Sequence, residues 1–497
     1  MRQDSLVSGT IALTTAAVFN RIVGFVFRAY LVRVVGQEAI GLYQMTYPLY
    51  ASVMTVATAG ISVGVAKLTA GARQRGDSQA ISSTLKTGCY LALFTGVAGM
   101  ILLMISSGFI AKTLLGEERA YLPLLVLAPA LPIVSLAGAL RGYYQGMRYM
   151  YLVAIALVTE QIAHVVASIQ LALRLKTLGV GAVSTGLALG CTVGELVGLL
   201  TLGLLAFFIA KGRQNRAQVN YAPLLGMVLP VATGRIILAA TSALNTILIP
   251  RSLRFMGYSA TDAAVVFGQL TGMAINVLFI PAVLTFPFAS NLLPLMAESD
   301  HAAQTTLKKR NFHQALSFSL ILGIPCSIVF VTAGPLICEL LFGVSEAGRL
   351  LSTMGWVAWM IYIQHITTAT LQGLGKPAIP ARNAAVCTLL SSTSVITLSR
   401  IWPSLKIDAA VYAIMVGIIT GALLGLVAVL KEIGGLRTAT IIITRGALAG
   451  AFAIFITENV LASLTNPSPL YQLSIACAMV ALSFLPAAWL LRLHKQT

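Results

Sequence analysis

Fourteen apolar runs, each long enough to cross a bilayer, recur along this 497-residue chain and leave it few ways to fold. Spanning the hydrocarbon core takes about 20 apolar residues of helix. There the backbone must satisfy its own hydrogen bonds, so only helices or closed barrels cross. These runs are helix-length, not the alternating ten-residue segments of a barrel. They lie near 6–34, 40–66, 87–110, 121–142, 151–173, 180–210, 221–249, 264–296, 313–341, 350–373, 378–399, 408–430, 440–462 and 470–491. No stretch between them could form a soluble domain. Only 10% of the residues are charged, where a soluble domain carries about a quarter. The expected fold is an all-α polytopic membrane protein of 14 transmembrane helices.

The net charge of +18 would suggest nucleic acid in a soluble protein. Here the cations sit in short loops, and no nucleic-acid-binding motif accompanies them. Twenty loop Lys and Arg fall on the side of the N-terminus against ten on the other. Cytoplasmic loops carry the excess, so both termini are expected in the cytoplasm and the loops against anionic membrane lipids. The first apolar run continues past signal length without a small-residue cleavage site, so no cleaved leader is expected. Six cysteines lie in or beside the spans without metal-ligand spacing, and read as small buried hydrophobes.

The chain also repeats itself. RGYYQGMRYM from Arg141 is similar to TLQGLGKPAI from Thr370, placing Gln145 and Gln372 at an offset of 227. GLYQMTYPL with Gln44 is similar to VFGQLTGMA with Gln269, at an offset of 225. Two six-span halves account for this, a lobe over 1–215 and another over 216–432, with two extra helices over 433–497. An even number of spans per half makes the repeats parallel.

Charge inside the spans points to function. Arg21 and Arg28 lie on one face of the first span, roughly 10 Å apart along the helix. An arginine near the bilayer centre costs about 2.5–3.5 kcal/mol, so two on one face are expected to meet a wet cavity. Such a cavity suits a phosphate-bearing cargo, which the guanidinium binds bidentately. Arg235 opens the second half as Arg21 opens the first, as a third cavity cation or an interfacial anchor. Glu160 and His164 share a face of the fifth span with Gln161 beside them, either a proton relay or a structural polar pair. Glu195 in the sixth span is a cavity acid or a helix contact. Arg141 and Gln145 sit in a glycine-rich loop that meets the cargo or merely turns. Asn245 and Gln269 are expected inside the second lobe. Pro281, Pro287 and Pro294 should bend the eighth span. Gly60 with Gly64 and Gly194 with Gly198 permit close helix packing.

NRIVGFVFR, GQEAIGLYQMTYPLY, RGYYQGM with TEQI, YSATDAAVVFGQLTGMAINVLFIP and LQGLGKP together resemble one family. It is the polysaccharide-flippase branch of the multidrug/oligosaccharidyl-lipid/polysaccharide exporter superfamily, and within it the stage V sporulation protein B group. The resemblance implies two six-helix lobes around a cavity, plus two C-terminal helices. It further implies alternating-access export of an undecaprenyl-diphosphate-linked saccharide across a bacterial cytoplasmic membrane for spore cortex or wall. Related peptidoglycan-precursor flippases carry an acid before the second span, where this chain has Gly41-Leu42-Tyr43. No enzyme activity and no resident cofactor or metal are expected; a coupling ion, proton or sodium, is left open. Two other readings remain: a multidrug antiporter, which relies on cavity carboxylates, and a membrane glycosyltransferase, which needs an acidic pair at a reaction face.

Overall fold

In the computed structural model of the chain, residues 6–58, 60–209, 221–297, 302–463 and 468–491 are described. Both chain ends, and the loop cations Lys211, Arg213 and Arg216, lie outside the described residues. All regular structure among the described residues is helical. The helices are α1 (Leu6–Val35), α2 (Gln37–Ala57), α3 (Ile61–Gln74), α4 (Ser78–Phe109), α5 (Tyr121–Leu127), α6 (Ala130–Gly146), α7 (Met150–Arg174), α8 (Val180–Ile209) and α9 (Ala222–Phe255). There follow α10 (Ala260–Phe267), α11 (Ile275–Leu278), α12 (Ala282–Ala297), α13 (Ala302–Phe342), α14 (Ser345–Gly373), α15 (Ala378–Ile401), α16 (Ile407–Ile433), α17 (Leu436–Ala462) and α18 (Pro469–Leu490).

Among the described residues, twelve helical stretches are long and apolar enough to cross a membrane. The other two expected spans are also helices, α9 and α14. Seventeen of the 29 residues of α14 are buried by neighbouring helices. A helix covered by protein needs less apolar surface than one facing lipid, which lets α14 carry His365 within the span; Glu346 and Arg349 are exposed in its first turns, where Arg349 pairs with Asp408. The eighth span is interrupted at Pro281, while Pro287 and Pro294 lie within the continuous α12. A π-helical turn, Gly268–Ala274, precedes α11, and the chain turns at Phe279–Pro281 before α12. Pro281 has no N–H with which to continue the helical ladder.

The chain forms two compact units. Unit 1 comprises Met1–Arg254 and Tyr258–Gly268, and unit 2 comprises Phe255–Gly257 and Gln269–Thr497. Unit 1 is built on a glycine seam. Gly186, Gly190, Gly194 and Gly198 recur every fourth residue of α8 and lie against Ala172, Ser168, His164 and Glu160 of α7. A Cβ on Gly194 would sit 2.6 Å from the Cβ of His164, and one on Gly198 would sit 2.5 Å from a Glu160 oxygen. Small residues let two backbones approach this closely. Gly194→Ala should therefore destabilise the protein by about 1–3 kcal/mol through overpacking. Thermal unfolding in detergent measures it, and an unchanged midpoint would mean that the seam is slack.

The same contacts recur in unit 2 at one offset. Gly96 lies on Pro132 in unit 1, and Gly323 lies on Trp359 in unit 2. Gly146 lies on Ala66 and Thr69; Gly373 lies on Leu293 and Met296. Every member of each set is displaced by 227 positions. The repeat is thus visible in helix packing as well as in sequence. It also corrects the reading of RGYYQG as a loop: the stretch is helical and closes α6, because its glycines serve close packing. LQGLGKP is helical only to Gly373 and then turns, with Gly375 at a φ of 73°.

A polar knot fastens the end of unit 1 where α1 hands over to α2. Buried Glu117 accepts from Arg119 Nε and Nη2, each at 2.8 Å, and Arg119 Nη1 donates to Glu38 at 2.6 Å. Arg254, at the end of α9, donates to the Gly116 carbonyl. Burial works to raise the Glu117 pKa, but the bonds and charge of Arg119 outweigh it and hold the carboxyl below its usual range. Its stabilising contribution is therefore complete above about pH 4.3 and is lost as pH falls through the lowered value. Arg119→Gln should flatten that acid dependence and cost about 1–3 kcal/mol by leaving a buried acceptor short of donors. Urea or thermal unfolding between pH 3 and pH 6 tests this; an undiminished acid slope in the variant would contradict it.

Candidate functional site

Unit 1 holds a polar pocket of about 240 Å³ assembled from four helices. From α1 come Gly24, Phe27, Arg28 and Leu31. Helix α2 gives Ile40, Tyr43, Gln44 and Tyr47. Helix α7 adds Glu160, Gln161 and His164, and α8 adds Cys191 and Glu195. The glycine seam fixes the last two sets relative to each other. His164 is further held edge-on by Phe27, with ring centroids 5.5 Å apart. Asn20 ties α1 to α7 by donating to the Leu157 carbonyl at 3.0 Å.

The charges are unequally partnered. Glu160 is paired with Arg141 of α6, and both side chains are about one-fifth exposed. Arg28 has no carboxylate oxygen within 4.0 Å among the described residues. Glu195 presents a buried oxygen, Oε2, with no hydrogen-bond partner among them. A guanidinium and a carboxylate without fixed partners in one pocket can each take an ion of opposite sign.

Five of the residues singled out from the sequence are thus brought together: Arg28, Glu160, Gln161, His164 and Glu195, with Arg141 one contact behind. The others lie elsewhere. Arg21 is exposed on α1 and does not line the pocket. Arg235 is exposed on α9, where Asn245 is half-buried. Gln269 is buried in the π-helical turn of unit 2. Gln145 lines a second cavity of unit 1. Sequence reasoning missed Tyr43, Tyr47 and Cys191. The tyrosine rings stack at 5.5 Å, and Tyr47 meets Tyr50 at 6.0 Å. Their spacing of i, i+4 and i+7, like that of Cys191 and Glu195 at i and i+4, was the available signal.

The repeat makes the site one-sided. At the 227 offset, Arg141, Glu160, His164 and Glu195 correspond to Thr368, Cys387, Ser391 and Ala422. The glycines recur there as Gly417, Gly421 and Gly425 of α16, but Gly417 and Gly421 meet α15 at Cys387 while Gly421 and Gly425 lie against Gln364 and Thr367 of α14. The glycines were kept in unit 2, with partly different neighbours, while these charges were not.

Comparison with known proteins fits this architecture. The profile of the family described as "Polysaccharide biosynthesis protein" matches residues 6–300. Stage V sporulation protein B of Bacillus subtilis (strain 168) is 28% identical over 438 residues, covering 85% of this chain and 83% of the relative. Lipid II flippase MurJ of the same strain is 23% identical over 463 residues, covering 87% and 84%. A solved structure of a lipid II flippase MurJ in an inward closed conformation superposes with a TM-score of 0.70 at 14% identity, covering 97% of this chain and 98% of that one. At that identity the likeness establishes the fold.

Proposed function

The chain belongs to the polysaccharide biosynthesis protein family, and from that premise we propose that it is a flippase for a polyprenyl-diphosphate-linked saccharide. The cargo moves from the inner to the outer leaflet by alternating access, in wall or spore-cortex synthesis. One observation carries the choice of cargo class. Arg28, in the last third of the candidate membrane-spanning helix Ser8–Val35, has no carboxylate partner within 4.0 Å among the described residues. A diphosphate offers the planar fork a bidentate, doubly charged partner. The relatives named above, a lipid II flippase among them, support the same class.

Glu195 supplies the coupling in this reading. With the carboxylate free, it offsets the positive potential of Arg28 in the shared pocket. A proton or sodium ion taken up there removes the offset and strengthens diphosphate binding, and its departure weakens it. An inside-negative potential also drives anionic cargo outward, by about 2.3 kcal/mol per charge per 100 mV.

The two carboxylates of the pocket favour a second reading, export of cationic compounds. Proteoliposomes decide between them. The purified protein should make a fluorescent lipid-diphosphate disaccharide accessible to an impermeant quencher. It should leave ethidium distribution unchanged. Ethidium transport without lipid movement would reverse the assignment.

A further inference from the structure

Unit 2 carries an apolar groove that the transport of cargo does not use. Helices α14 and α17 both pack on α13 and barely touch one another. That leaves a slot of about 260 Å³ with α13 as its floor. The α14 side carries two indoles, Trp356 and Trp359. The α17 side is low and smooth, because Ala447, Gly450 and Ala451 line much of it. Trp359 is fixed by donating from Nε1 to the Trp356 carbonyl at 3.1 Å, whereas Trp356 is 59% exposed.

The slot lies at mid-depth. Ser327, on its floor, sits near the middle of the candidate span Thr306–Phe342, and Gly450 sits near the middle of Leu436–Ala462. The chains of a phospholipid carry no oxygen at that level. Their ester carbonyls lie about 15 Å away, at the edge of the hydrocarbon core.

Yet the floor holds a polar atom in want of a partner. Ser327 is 5% exposed, and its Oγ has no hydrogen-bond partner among the described residues. Thr332 on the same helix satisfies itself by donating to the Ile328 carbonyl at 2.8 Å; Ser327 does not turn back in this way. A buried hydroxyl without a partner is unfavourable. The slot therefore suits an occupant that is apolar over most of its surface and brings one hydrogen-bonding oxygen to the middle of the bilayer.

The repeat does not account for these features. At the 227 offset, Ser327, Trp356 and Trp359 correspond to Met100, Pro129 and Pro132. The first half has neither the hydroxyl nor the indoles at those positions, and α17 lies beyond both six-span halves.

We propose that the slot binds a prenylated quinone. The flat ring stacks on the indoles, and a ring carbonyl accepts from the Ser327 hydroxyl. The isoprenoid chain leaves through the open side into lipid. The volume is at the small end for ligand pockets, which suits a ring whose chain stays outside. Bound there, the ring bridges α14 and α17. An acyl or polyprenyl chain would fill the same walls but leave the hydroxyl bare. The inference is independent of the cargo assigned to unit 1.

The full chain in phosphatidylcholine nanodiscs is titrated with a short-chain menaquinone, and binding is read from saturable quenching of tryptophan fluorescence. Ser327→Ala should weaken binding about three- to tenfold, the contribution of one neutral hydrogen bond. It removes only an unpartnered hydroxyl, so it should unfold no earlier than the wild type. Ala451→Phe, at an exposed position, fills the slot and should abolish saturation. Leu448→Phe, exposed on the same helix outside the slot, should leave binding unchanged. Squalene, an isoprenoid without oxygen, should compete poorly. Competition by squalene as effective as that of the quinone, or undiminished affinity in Ser327→Ala, would make the slot a hydrocarbon-chain site and refute the quinone. Quenching that never saturates in the wild type, or that saturates equally in Ala451→Phe, would overturn the site altogether.

Discussion

Replacing Arg28 with Ala should cut translocation of a lipid-diphosphate saccharide by about 10- to 100-fold, while the protein still inserts and folds. The magnitude follows from the interaction lost, since a hydrogen bond to a charged group contributes about 1.5–3 kcal/mol. Folding should survive because Arg28 is unpaired among the described residues, so its removal orphans no carboxylate. Arg28→Lys keeps the charge but loses the planar fork, and should fall between wild type and Ala. Arg21→Ala should have a smaller effect, since Arg21 lies outside the pocket. Initial rates of quencher accessibility in proteoliposomes, normalised to reconstituted protein, supply the comparison. Wild-type flipping by Arg28→Ala would end the assignment of this pocket to the cargo.

Replacing Arg141 with Ala should have the opposite profile, a failure of the fold before any failure of transport. It leaves Glu160, held against Gly198 of α8 at the edge of the pocket, without its cation. Removing one partner of a buried ion pair costs about 3–5 kcal/mol. Adding Glu160→Gln to Arg141→Ala should recover most of that loss, because no uncompensated charge is then buried. The double-mutant cycle isolates the pair. Unfolding midpoints of the detergent-solubilised single and double variants give the answer. If Arg141→Ala is as stable as the wild type, Glu160 is reached by water or another cation, and its pairing is incidental. Arg141 Nε is itself buried without a partner, so the ion pair is imperfectly satisfied even in the native protein.

The helices, and most of their ends, could be read from the chain because lipid imposes one rule on every span. Backbone groups must be satisfied within the segment, so length and apolarity suffice. The repeat was legible for a similar reason: glycines at helix crossings cannot change without expelling the neighbouring backbone. Arg28, Glu160, His164 and Glu195 were recognisable one by one, since ionised groups inside spans are costly. Their assembly was not. Helical periodicity places Arg21 and Arg28 on one face, yet α1 is covered by its neighbours around Arg28 and uncovered around Arg21.

Which charged residues lie inside the apolar spans was thus determined by the sequence alone, through a solvation cost that each residue incurs by itself. Which of those charges share a pocket was decided only by tertiary structure. That depends on how closely α7 and α8 approach along Gly186 to Gly198, and on the partner each charge meets there. Arg141, read as a loop cation, became the counterion of Glu160 because α6 continues through Gly142, whose missing Cβ lets it lie on the Ser62 carbonyl. Electrostatic pairing between helices is a property of distances that no single segment encodes.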